Sequence, residues 1–230
     1  MADRNLAGRV VVVFGGAGAL GAAVVARSQE DQASVLVADA SLPAQSDRRP
    51  GVDYVAVNVL EEQEVGSFLS SLEVAPWAVV NLIGGYTPNQ RLVDLDLAVL
   101  RRQFELNLVS AATITKYAVR RMAGGAGGRL LHTSSRVATQ DGHDGFAYSA
   151  SKLAVVRLVE AAAAEALDDA ITVNCIMPSI IDTPANRTAM PTADYALWPK
   201  PAQIAAVLSF LMSDEAALVS GAAIPVYGRA

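Results

Sequence analysis

Arg9-Val10-Val11-Val12-Val13-Phe14-Gly15-Gly16-Ala17-Gly18-Ala19-Leu20-Gly21 is the stretch from which the rest of the chain can be arranged. After Arg9, residues 10–14 form an apolar, mostly β-branched run, the pattern of a strand buried on both faces. Glycines follow at once, and residues 22–29 have helical composition. Strand, glycine turn, helix is the context in which Gly16-x-Gly18-x-x-Gly21 reads as a dinucleotide fingerprint. Small residues let backbone amides approach a pyrophosphate, and the helix N-terminus adds a favourable partial charge. Residues 34–38 supply a second strand that ends at Asp39, eighteen residues after Gly21. A carboxylate there can accept hydrogen bonds from an adenosine ribose and repels a 2′-phosphate. The plainer alternative, a glycine-rich turn and an ordinary loop aspartate, leaves that spacing unexplained.

Further along, strands are expected at 54–59, 77–83, 129–133, 171–177 and 222–226. Helical patterns fall at 61–72, at 97–122 as two consecutive helices, at 146–167 and at 203–212. Residues 41–51 are polar and broken by prolines, which predicts a loop with at most a short helix. Strands alternating with helices imply an α/β fold with a doubly wound parallel sheet. In such sheets ligands bind beyond the C-terminal ends of the strands. By that rule Asp39, Asn58 and Val59, Asn81 and Gly84, Ser134 and Ser135, and the segment from Pro178 through Ile181 to Thr183 gather on one edge.

The chain has 230 residues, 52% hydrophobic and 18% charged, enough for one domain with a large core. Its net charge of −5 and the lack of a basic block argue against nucleic acid as a partner. No apolar run reaches the ~18 residues of a membrane span, and the first residues do not read as a leader, so a cytoplasmic location is expected. Cys175, the single cysteine, lies in an apolar run and reads as an inert core thiol. No group of His, Cys, Asp and Glu has metal-ligand spacing, so no metal is expected.

Tyr148-Ser149-Ala150-Ser151-Lys152 carries the chemistry. On a helix, i and i+4 share a face, which sets a phenol beside an ammonium. Bringing a tyrosine from ~10 to ~7 takes roughly 4 kcal/mol. One cation about 4 Å away at an effective dielectric near 20 supplies about that much. The pair is thus a candidate acid/base unit, although by itself Tyr-x-x-x-Lys also arises by accident on helix surfaces.

Taken together, the glycine turn, Asn81-x-x-Gly84, Asn107, a serine thirteen residues before Tyr148, Tyr148-x-x-x-Lys152, and Pro178 with Thr183 resemble the short-chain dehydrogenase/reductase family in order and spacing. The resemblance runs from Gly8 to Gly228. It implies a Rossmann-type sheet of about seven strands with helices on both faces, forming a single NAD(P)-binding domain over residues 1–230. It also implies Tyr148 as proton donor or acceptor, Lys152 lowering its pKa and binding the nicotinamide ribose, and Ser135 bonding the same substrate oxygen. Asn107 would hold a helix kink and a water leading to Lys152, the alternative being a helix cap. The cofactor would meet Gly15, Gly16, Gly18, Ala19, Leu20, Gly21, Asp39, Asn58, Val59, Asn81, Gly84, Tyr148, Lys152, Pro178, Ile181 and Thr183. Ala19 replaces a usual glycine, Asn58 a usual aspartate, Leu82-Ile83 a polar-small pair and Ser179 a glycine. His132 is expected to be a satisfied core histidine. His143 and Asp144 precede Tyr148 in a loop open to substrate contact or to solvent alone.

Gly84-Gly85-Tyr86, the run from Asp182 to Arg187, Met190-Pro191, Ala193-Asp194-Tyr195 and Trp198 look like parts of dihydropteridine reductase. Residues 184–200 would form a substrate lid, with Tyr86, Met190, Tyr195 and Trp198 as apolar walls or as packing of the lid onto the sheet edge. The leading expectation is NAD(H)-dependent conversion between a carbonyl and an alcohol, with NADH favoured over NADPH by Asp39. The alternatives are reduction of a quinonoid pterin and a non-catalytic nucleotide sensor. Family resemblance further implies a homodimer or homotetramer built on helices 107–122 and 146–167.

Overall fold

The computed structural model describes residues 6–87, 91–140 and 145–229. Seven strands, all parallel, form one sheet in the order β3-β2-β1-β4-β5-β6-β7. They are β1 (Val10–Phe14), β2 (Ser34–Asp39), β3 (Val52–Ala56), β4 (Ala78–Asn81), β5 (Gly128–Thr133), β6 (Ile171–Pro178) and β7 (Ala223–Val226). Helices α1 (Ala19–Glu30), α2 (Glu62–Ser71), α3 (Leu97–Phe104), α4 (Ser110–Met122), α5 (Phe146–Glu165), α6 (Pro184–Ala189) and α7 (Pro201–Met212) connect and cover them. This is the Rossmann-type doubly wound fold.

The two-sided apolar strands expected from the sequence explain the layering. Val12 and Phe14 face a core shared with Val65, Phe68 and Leu69 of α2, Ile114 and Met122 of α4, and Val159 of α5. Val11 and Val13 face the opposite core, with Val24 and Val25 of α1 and Ile204, Leu208 and Leu211 of α7. Each of these strand side chains is fully buried, so neither face can be given up to water.

Two strand boundaries differ most from the sequence reading, each for a local reason. The third strand runs over Val52–Ala56, not 54–59: it pairs from Val35↔Val52 onward, and beyond Val57 the chain turns at Asn58, whose Oδ1 accepts from Leu60 N–H at 3.1 Å. As an edge strand it is largely unburied, so hydrophobicity marks its ends poorly. The fourth strand stops at Asn81 because Asn81 Oδ1 takes the Ile83 N–H at 3.0 Å and peels the chain away. Residues 97–122 form two consecutive helices, as expected, joined through a π-helical turn over Glu105–Val109. A widened turn of this kind is common where a helix contributes to a site.

Candidate active site

The strand order reverses between β1 and β4, the point at which a doubly wound sheet opens a crevice. The two turns that leave these strands touch. Gly15 has φ +79°, and a Cβ there would lie 3.2 Å from Ile83 and 3.3 Å from the Leu82 carbonyl carbon. Gly21 is needed for closeness: its Cβ would fall 2.2 Å from Gly15 O. Gly16 abuts Val37, where a Cβ would sit 2.7 Å from a methyl. Gly18 is the N-cap of α1 and Ala19 its first residue. A methyl is therefore accommodated where the family more often has glycine, and Leu20 is half-buried beside it. The Asp39 carboxylate accepts from Ala17 N–H and Ser41 N–H, both at 3.2 Å, tying the end of β2 to the glycine turn. Next to it Asn58 N–H donates to Glu64 at 2.8 Å, and Val59 is buried.

The mouth continues through Gly84 to the helix side. A Cβ on Gly84 would lie 2.6 Å from Lys152 Nζ and 2.8 Å from Asn107 Oδ1. Only a glycine leaves room for both side chains at the backbone. Asn107 sits buried in the π turn and clasps Gly85 twice, accepting from its N–H at 3.0 Å and donating to its carbonyl at 3.1 Å. It also reaches Ser151 Oγ at 3.0 Å, and Ser151 in turn donates to the Tyr148 carbonyl. Asn107 is therefore a hydrogen-bonding centre inside the helix, not a cap.

Beneath the floor, His132 is fully enclosed and paired on both nitrogens, as expected of a core histidine. Asn81 Nδ2 lies 3.1 Å from His132 Nδ1, and Thr115 Oγ1 lies 3.0 Å from Nε2. The Thr115 hydroxyl donates to Ala111 O, so it accepts from the ring; the imidazole is neutral with its proton on Nε2. Burial, with the Lys152 cation adding to it, pushes the His132 pKa down to about 3.

Helix α5 brings Tyr148 and Lys152 to the same mouth, one turn apart, with Ser135 just beyond β5. Ser135 lies beside the Tyr148 phenol. Neighbouring Ser134 instead points into the core and donates to the Lys152 carbonyl at 2.7 Å, so the two adjacent serines divide their work. The electrostatics correct the expectation for the tyrosine. Burial raises the Tyr148 pKa, the Ser135 hydroxyl opposes that rise, and Lys152 is not among the causes. The Lys152 ammonium donates to the Thr133 carbonyl at 2.9 Å, and burial pushes its own pKa down to about 8. Helical spacing brought the two residues to one face, while the strand beneath them set where the ammonium points. Cys175, below, is buried and pushed up to about 12, an inert thiol.

The segment after β6 forms the opposite rim. Pro178 closes that strand opposite Val226, Thr183 caps α6 by accepting from Asn186 N–H, and the Ile181 carbonyl accepts from Asn186 Nδ2. The expected lid carries the short helical pieces anticipated for it, α6 and a turn over Tyr195–Leu197. Asp182 N–H donates to Pro199 O, and Arg187 makes two bonds of 2.6 and 2.9 Å with the Asp182 carboxylate, holding it below its ordinary pKa. Arg187 also lies over the Tyr195 ring. Trp198 is buried against Tyr195, with ring centroids 5.0 Å apart, which fits packing; Met190 is half-buried and stays at the rim. Tyr86 is 59% exposed and meets Tyr148 edge-to-face at 5.2 Å. His143 and Asp144 lie outside the described residues. Gln103, Thr87 and the Thr133 carbonyl were not singled out from sequence; Gln103, one helical turn before Asn107, was open to the i,i+4 rule.

A doubly wound parallel sheet with a glycine-walled crevice and a Ser-Tyr-Lys group at its mouth defines a dinucleotide-dependent oxidoreductase architecture. A family model described as short chain dehydrogenase matches residues 9–194. Cis-4-hydroxycyclohexanecarboxylate dehydrogenase of Sinomonas cyclohexanicum is 29% identical over 96% of this chain and 95% of that protein. 3beta-hydroxysteroid dehydrogenase 2 of Eggerthella lenta is 31% identical over 97% and 95% respectively. A short-chain type dehydrogenase/reductase from Mycobacterium ulcerans superposes with a TM-score of 0.88 at 25% identity, covering 97% of this chain and 90% of that one. The chain belongs to the short-chain dehydrogenase/reductase family of oxidoreductases, which bind a nicotinamide cofactor. Among the described residues no helix is long and apolar enough to cross a membrane.

Proposed function

We propose that this chain is an NAD(H)-dependent oxidoreductase interconverting a carbonyl and its alcohol, with Tyr148 as the proton donor or acceptor. The observation that carries the reading is the continuity from the glycine crevice to the acid/base group. Gly15 abuts Leu82-Ile83, Gly84 abuts Lys152 Nζ, and Tyr148, one helical turn before Lys152, has Ser135 beside its phenol. The crevice fits a dinucleotide: Gly21 lets the turn fold tightly on Gly15 and Gly16, as a pyrophosphate-binding turn requires, and Gly84 lets Lys152 and Asn107 lie against the backbone at its mouth. Gly15, Gly16, Gly18, Ala19, Leu20 and Gly21 would hold its pyrophosphate side, and Asn58, Val59 and Asn81 its adenine side and floor. Pro178, Ile181 and Thr183 would hold the carboxamide side. A bound nicotinamide supplies or accepts the hydride.

The residues of this chain do the rest. A phenol raised above its ordinary value is protonated at neutral pH, the state needed to donate to a carbonyl oxygen during reduction. Ser135 is placed to share the charge that develops on that oxygen. Lys152, lowered to about 8, still carries its charge at neutral pH and would bind the nicotinamide ribose. Asp39 supports NADH: its carboxylate keeps acceptor capacity beyond two backbone bonds and opposes a 2′-phosphate. Ser135 beside the Tyr148 phenol favours a ketone over a quinonoid pterin, whose protonated atom is a ring nitrogen. Exposed Val109 and Leu153, on the helices expected to mediate self-association, support a homodimer or homotetramer, which sedimentation tests.

Fluorescence titration with NADH and NADPH, followed by turnover of a ketone panel, tests the reading. Tighter binding of NADPH overturns the Asp39 argument. Full activity in Tyr148→Phe overturns the acid/base assignment.

A further inference from the structure

We infer that Gln103 is a positioning residue that fixes Tyr86 as a substrate wall against Tyr148; this rests on the catalytic reading above. Gln103 is 4% exposed on α3 and uses both ends of its amide. Its Nε2 donates to Thr87 Oγ1 at 2.7 Å, and its Oε1 accepts from Asn107 Nδ2 at 3.1 Å. Asn107, one turn further on, holds Gly85 by both its N–H and its carbonyl. Residues on either side of Tyr86 are thus pinned to one helical face. The segment lies flush on that helix, since a Cβ at Gly85 would be 2.6 Å from Leu106. Between the two pins the Tyr86 side chain stands out with 59% of its surface exposed, its ring edge-to-face with Tyr148 at 5.2 Å. The clamp therefore determines where the exposed ring stands relative to the proton donor.

The residue type at 103 follows from the two bonds. A buried side chain that must donate at one end and accept at the other is satisfied by an amide, whereas leucine or methionine leaves Thr87 without its partner. Losing Gln103 does not strip Asn107: its two amide hydrogens keep the Gly85 carbonyl and Ser151 Oγ as acceptors. Gln103→Met is accordingly a test of the clamp and not of Asn107.

Cyclohexanone and an open-chain ketone serve as probes with NADH as reductant, in wild type, Gln103→Met, Thr87→Val and the double variant. Loss of one buried hydrogen bond predicts a rise in KM of about tenfold, with kcat within roughly twofold. NADH affinity stays unchanged, and the double variant is no worse than either single one, because both break the same contact. An unchanged KM in both single variants overturns the inference, as does a joint loss of kcat, NADH affinity and thermal stability, which would mark Gln103 as structural only. Crystal structures of wild type and Gln103→Met decide the placement independently of turnover: a Tyr86 ring unmoved against Tyr148 in the variant overturns it. If wild type binds NADH but reduces no ketone, the catalytic reading falls, and that structural comparison still decides whether Gln103 places the ring.

Discussion

His132 gives the protein a stability that depends on pH in a direction fixed by its surroundings. Its folded pKa is about 3, against 6.5 for a free histidine, because the ring is fully buried and the Lys152 ammonium is nearby. The unfolded chain therefore takes up a proton as pH falls through 6.5, while the folded chain does not until about 3. Where the unfolded state binds more protons, stability rises with pH, so acidification destabilises the fold. The contribution is fully present above pH 6.5 and is lost progressively down to about 3. Between pH 7 and pH 5 the loss is about 2 kcal/mol, at 1.36 kcal/mol per unit over the roughly 1.5 units below 6.5. For a chain of this size that lowers Tm by roughly 4–8 °C. Differential scanning fluorimetry at pH 7 and pH 5 on wild type and His132→Asn measures it. The variant lacks the imidazole bonds to Asn81 and Thr115 and starts less stable, but its Tm falls less over the same interval. His143→Asn run alongside separates the second histidine. Equal slopes in wild type and His132→Asn, or an NMR titration placing the His132 midpoint near 6.5, refute the reasoning.

Three other outcomes follow from contacts already described. Gly84→Ala drives a methyl to 2.6 Å from Lys152 Nζ and 2.8 Å from Asn107 Oδ1; displacing the ammonium from Thr133 O costs ~2 kcal/mol, so activity on a ketone falls at least about tenfold. Steady-state kinetics checks it, and a variant with wild-type kcat/KM contradicts the packing. Gly21→Ala meets backbone at 2.2 Å, which side-chain motion cannot relieve. A lower Tm and weaker NADH binding in fluorescence titration are expected, and unchanged values in both sink the argument for close approach. Ser135→Ala removes the hydroxyl that opposes the rise in the Tyr148 pKa. Ketone reduction should fall by about a hundredfold, the scale of losing one oxyanion donor, whereas retained ketone turnover would remove Ser135 from the reaction.

The sequence carried the sheet because its strands announce themselves in two independent ways. Val10–Phe14 is apolar at every position and Ile171–Pro178 at all but Thr172 and Asn174, as burial on both faces favours, and glycines or polar residues stop each of them at the same edge. The edge strand β3 lacks the first signal, being exposed on most of its length, so apolar residues do not mark where it starts and stops. The candidate site divides along the same line. Tyr148 and Lys152 share a helix, so their spacing alone brings them to one face. The partner of the ammonium, Thr133 O, comes from a strand that pairs with β6 and β4, and no spacing within α5 encodes it. That contact changes the chemistry. With Lys152 directed at a carbonyl and the phenol desolvated, the tyrosine is a firmer acid-form group than the local sequence implies. Ligand-free protein should therefore show no phenolate absorbance near neutral pH. Adding NAD+ brings a positive charge toward the same buried phenol, which favours the ionised form by Coulomb attraction. A pH titration of phenolate absorbance should then shift downward with NAD+ in wild type and not in Tyr148→Phe; a wild-type curve unmoved by NAD+ would mean that the cofactor charge never reaches the phenol.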